Sequence, residues 1–125
     1  MAIVLSALKN NRKLIIFEVD KIAINNKQNF DYLCHFLKSN KSIKNLKLSW
    51  NSFMPKQIIE IMNLIKRRKT LEFLDLSYNN LAPDPRKKEL VKQFVNTMRR
   101  FILRTQIFHL NLTAMSLGKT VGKLI

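Results

Sequence analysis

The residues able to do chemistry are few, and their spacing argues against most of what they could do. Cys34 and His35 are neighbours in a stretch of helical periodicity, so their side chains leave the helix in different directions and form no nucleophile–base pair. His109 has no Cys or carboxylate at metal-ligand spacing. Glu18 and Asp75 fall on separate strands with Lys47 between them, a poor arrangement for a general acid and base. Ser116-Leu-Gly-Lys-Thr is similar to the end of a phosphate-binding loop, but that loop needs a Gly five residues before Gly118, where the chain has Thr113. Asn40-Lys-Ser and Asn111-Leu-Thr spell glycosylation sequons, which are expected to be idle because no signal-like segment accompanies them. The expectation is a chain that is no enzyme, with no catalytic residue, metal or cofactor.

The pattern that does stand out is repetition. SIKNLKLSWNSF (42–53), TLEFLDLSYNNL (70–81) and QIFHLNLTAMSL (106–117) align without gaps. Counted from the second residue of each, apolar side chains fall at positions 1, 4, 6 and 11: Ile43, Leu46, Leu48, Phe53; Leu71, Leu74, Leu76, Leu81; Ile107, Leu110, Leu112, Leu117. A looser copy, KLIIFEVDKIAI, supplies Leu14, Phe17, Val19 and Ile24. The starts at 14, 43, 71 and 107 are 29, 28 and 36 residues apart. Positions 4 and 6 alternate with polar neighbours, which is the period of a strand, so strands are expected near 14–19, 43–48, 71–76 and 107–112.

Upstream of each strand the period changes. Leu8, Leu37, Ile65 and Phe101 stand six residues before the four starts, preceded by Leu5, Cys34, Met62 and Met98, and by Val4, Leu33, Ile61 and Thr97. Spacings of three and four make an amphipathic helix, with Cys34 as a packing residue in its apolar stripe. Each unit is therefore a strand, a turn and a returning helix. The longer last spacing is expected to be a loop at 82–89, APDPRKKE. At position 9 the two central copies carry Asn51 and Asn79, whose amides can satisfy backbone groups in the neighbouring turn. The outer copies have Ile22 and Met115 there, read as end effects.

LKLSWNSF and LEFLDLSYNNL resemble leucine-rich repeats, and the 28–29-residue units resemble the ribonuclease-inhibitor-like type. The resemblance implies an α/β solenoid of about four units over 1–117, followed by a C-terminal tail at 118–125. It further implies a curved parallel sheet on the concave side, helices on the convex side, and a non-catalytic protein-binding role. Families of this repeat type include intracellular sensors, inhibitors and bacterial effectors delivered into host cells.

In such an arrangement positions 3, 5, 7 and 8 form outward columns on the concave face. Trp50 and Tyr78 share one column and Phe73 lies near; these are the expected anchors for a partner, with Lys47, Asp75, His109 and Glu18 as polar selectors. The competing reading is that the two rings fold over the turn and shield the Asn column. A ladder of Glu18, Lys47 and Asp75 can equally be self-cancelling surface charge.

Charge is the compositional outlier: 23 Lys and Arg against 8 Asp and Glu give +15. Twelve of the cations and no acid fall in the helix-to-strand turns: Lys9, Arg12, Lys13, Lys38, Lys41, Lys66, Arg67, Arg68, Lys69, Arg99, Arg100 and Arg104. Stacked units would align them as a basic ridge able to hold nucleic acid or another acidic surface through non-specific contacts. Cations at helix C-termini and plain solubility explain part of the same excess. One Cys excludes an internal disulfide framework and fits a reducing, cytoplasmic setting, or delivery into a host cell for an effector. No apolar run is long enough to span a membrane. With no polar cap at either end of the repeats, an end face is expected to be covered by a second copy in a homodimer, by a partner, or by the remainder of a larger protein.

Overall fold

A computed structural model describes residues 1–80, 83–118 and 123. Strand and helix alternate along the chain: α1 (Ala2–Leu8), β1 (Ile16–Glu18), α2 (Lys27–Ser39), β2 (Asn45–Lys47), α3 (Pro55–Ile65), β3 (Phe73–Asp75), α4 (Lys88–Arg104) and β4 (His109–Asn111). The four strands form one parallel sheet in chain order, and a parallel pair needs a crossover, which each intervening helix supplies. Ile16, Asn45, Phe73 and His109 lie in one row across the sheet, and Glu18, Lys47, Asp75 and Asn111 in another. Consecutive helices pack against each other, so the described residues form an α/β arrangement of two layers, a four-stranded parallel sheet and the helices α1–α4.

The core lies between those layers and is filled by the periodic residues. Phe17, Leu46 and Leu74 from the strands meet Leu33, Leu37, Ile61, Met62, Ile65, Met98 and Phe101 from the helices, all buried. Phe53 fills position 11 of the second copy; Leu81, its counterpart in the third, lies outside the described residues. Val4 departs from the expected stripe: it is 54% exposed, because α1 has a helix on one flank only.

Local chemistry starts the helices. The Asn26 side chain accepts from the Asn29 N–H at 3.0 Å and caps α2. Pro55 opens α3, and Gln57 both accepts from the Met54 N–H at 2.9 Å and donates to the Asn25 carbonyl of the preceding unit at 2.7 Å. The expected loop at 82–89 is shorter than the spacing suggested. A tight turn holds Arg86 on Asp84 at 3.0 Å, Lys88 and Glu89 already belong to α4, and much of the extra length is helix, 17 residues against 11 in α3. Ala82 lies outside the described residues, as does the tail at 118–125 apart from Gly118 and Lys123.

Candidate protein-interaction surface

The surface is built on the turn that follows each strand. Position 8 has left-handed φ in all four copies, at Lys21 (55°), Trp50 (56°), Tyr78 (54°) and Ala114 (54°), and Ala23, Ser52 and Ser116 repeat it two residues later. Each such residue costs about 1 kcal/mol outside glycine, so something must hold the backbone there. The Asn side chains do so. Asn79 is buried; its Oδ1 accepts from the N–H groups of Asn51 and Phe53, and its Nδ2 donates to the carbonyls of Leu48, Leu76 and Ser77. Asn51 repeats this one unit earlier, accepting from Ile22 and donating to Val19 and Ser49. Met115 takes the same place in the last unit as a buried apolar residue, whereas Ile22 in the first is half-exposed.

That backbone aims the aromatic pair. Trp50 and Tyr78 stack face to face, 4.2 Å between centroids and 7° between planes, with about half of each residue exposed. Lys21 Nζ lies 5.4 Å from the Trp50 ring on the stack's other side, a cation–π contact. Phe73 and His109, opposite one another on β3 and β4, are 5.8 Å apart and tilted by 32°. Ile16 begins the same row and is exposed.

Between these groups lies the polar row. Lys47 donates to Glu18 at 3.0 Å, and that hydrogen bond with the carboxylate charge raises the Lys47 pKa. Asp75 instead accepts from the Ser77 N–H at 2.8 Å, and no cation pairs with it among the described residues. Position 7 departs from the expected outward column. Ser49 and Ser77 are buried, with the Ser49 hydroxyl on Asp20 at 2.6 Å, because the chain already curls into the turn there.

The helix-to-strand turns present another set. Lys9, Asn10, Asn11, Arg12, Ser39, Lys41 and Ser42 line one shallow cleft, and Arg67, Arg68, Lys69, Arg104 and Gln106 a second. Partial burial and the nearby Arg68 and Lys38 charges lower the Lys41 pKa. The ridge is less uniform than its sequence. Arg68 turns inward: Nη1 donates to the Asn40 carbonyl at the end of α2, while Nε and Nη2 are buried without a partner among the described residues, and burial lowers its pKa. Lys38, Arg99, Arg100 and Arg104 lie within helices rather than in turns, and Lys66 closes α3 with its Nζ on Asn63 at 3.0 Å. Arg12, Lys13, Lys41, Arg67, Lys69 and Arg104 carry exposed charge.

Asn40, which opens one of the two sequons expected to be idle, has a structural task instead. It is buried, it donates to the carbonyls of Leu8 and Asn11, and it accepts from the Ser42 N–H, so its amide is committed to the fold. Cys34 is half-buried; burial first, then the Glu60 carboxylate beside it, push its thiol up to about 12, which leaves it protonated and a poor nucleophile at neutral pH. Among the described residues no cluster of His, Cys, Asp and Glu is placed to hold a metal ion, and no helix is long and apolar enough to cross a membrane.

No family model matches this sequence, and neither does any curated protein. Among solved structures the fold is similar to actin-binding site 2 of leiomodin-1, with a TM-score of 0.70 over 96% of this chain and 69% of that one. The two are 15% identical, so the likeness speaks for the shared fold alone.

Proposed function

We propose that the chain is a leucine-rich-repeat solenoid of the ribonuclease-inhibitor-like type, acting as a non-catalytic module that binds another protein through its sheet face. The observation that carries this reading is the stacked Trp50–Tyr78 pair, rigid yet half-exposed on the sheet side. Two rings locked against each other lose little entropy on binding and bury a large area, which is why Trp and Tyr dominate interface hot spots. The parallel in-register strands and the Asn51–Asn79 column support the repeat assignment. In this reading Phe73 and His109 extend the apolar contact, and Glu18, Lys47 and Asp75 set its polarity.

The test is capture of a partner by the intact chain and by Trp50→Ala. Actin is the first protein to try, because the leiomodin-1 neighbour is an actin-binding site by name. Washing at about 0.5 M salt, where screening shortens to a few ångströms, removes contacts made only by the basic edge. Retention through that wash, lost in Trp50→Ala whose melting transition falls by no more than about 5 °C, supports the module. A melting transition that collapses in Trp50→Ala would make the rings a cover for the Asn column instead.

A further inference from the structure

The aromatic column is one member short. Its four positions share one backbone geometry, φ between 54° and 56°, so their Cβ atoms project alike from neighbouring strands about 4.8 Å apart. The side chains run Lys21, Trp50, Tyr78, Ala114. Each of the first two lies on the next: the Lys21 ammonium over Trp50, and Trp50 flat on Tyr78. Ala114 stops at its Cβ. The Tyr78 face turned away from Trp50 therefore looks over a methyl group where a fourth side chain would lie.

Electrostatics selects what fits there. The stack already takes a cation at its Lys21 end, and a π face attracts a cation at the other end for the same reason. Asp75, on the strand that leads to Tyr78, is drawn toward the turn by the Ser77 N–H and forms no direct ion pair among the described residues; the Lys47 ammonium on the next strand, whose charge it feels, is bonded to Glu18. A flat cation that stacks on a ring and donates in its plane to a carboxylate is a guanidinium rather than an ammonium. We propose that the open face of Tyr78, above Ala114, is a binding slot for an arginine side chain of the partner, paired with Asp75. This rests on the sheet-face reading and names the anchor that such a partner must carry.

The test needs no identified partner. N-acetyl-arginine amide is titrated into the full chain to tens of millimolar, with N-acetyl-lysine amide and N-acetyl-glutamine amide as probes lacking the flat cation, while NMR follows the Ala114 amide and the Tyr78 ring. The arginine probe is expected to shift both signals and to bind at least about threefold more tightly than either control. Asp75→Asn should weaken it about fivefold. Ala114→Trp should abolish it by filling the slot, and the backbone accepts Trp there because Trp50 holds the same conformation. No shift with the arginine probe, equal shifts with the glutamine probe, or a response that survives Ala114→Trp would overturn the slot. None of these outcomes bears on partner capture in Trp50→Ala, so the slot and the sheet-face reading fail separately.

Discussion

Two sets of turns tie the units together, one after each strand and one before it, and they solve the same problem with different residues. After the strands, Asn51 and Asn79 sit at one repeat position and each uses both ends of its amide on backbone groups. Before the strands, the position three residues ahead of each repeat start holds Asn11, Asn40, Arg68 and Arg104. Asn40 reaches back to the Leu8 and Asn11 carbonyls, and Arg68 reaches back to the Asn40 carbonyl. Both columns satisfy groups that a chain reversing direction would otherwise bury bare. The amide does it without residue, whereas the guanidinium leaves Nε and Nη2 buried and unpaired. A site that needs one donor is served by a side chain with five, and the surplus carries a desolvation cost.

The comparison breaks most readily at Asn79. Asn79→Ala strands the buried N–H groups of Asn51 and Phe53 and frees two left-handed turns. It should destabilise by about 3–5 kcal/mol, read from urea unfolding. Asn40→Ala removes fewer partners and should cost about 2 kcal/mol in the same measurement. Arg68→Met sharpens the contrast: it deletes one hydrogen bond and a poorly paired charge together, so the change should stay within about 1 kcal/mol and can be stabilising. A loss in Arg68→Met as large as in Asn40→Ala would show that the two residues are equal partners after all. Trp50→Ala removes a stacked but half-exposed ring, for about 1 kcal/mol. Arg104→Ala, at the matching place in the last unit but exposed, should shift stability by less than about 0.5 kcal/mol.

The element order was legible because burial repeats with the period of the structure. Leu46, Leu74 and their partners alternate as a strand must, and Leu37, Ile65 and Phe101 recur as a helix face must. The Asn51–Asn79 column was legible for a related reason: one residue type at one position in two consecutive copies signals one repeated task. Asn40 and Arg68 were not, since the residue changes between units and each has an ordinary surface reading, a sequon and a basic ridge. The burial of Ser49 and Ser77 was missed because strict alternation was carried past the point where the chain leaves the strand.

By itself, then, the sequence determined the alternation of strand and helix, the central part of the core and the position of the Asn turns, because each follows from local periodicity and side-chain chemistry. Only the tertiary structure decided which cations point outward, that Trp50 and Tyr78 stack, and that Lys47 turns to Glu18 while Asp75 takes the Ser77 N–H. These outcomes depend on competition among groups roughly 28 residues apart in sequence and one strand apart in space. A periodic pattern brings such groups together without choosing among them.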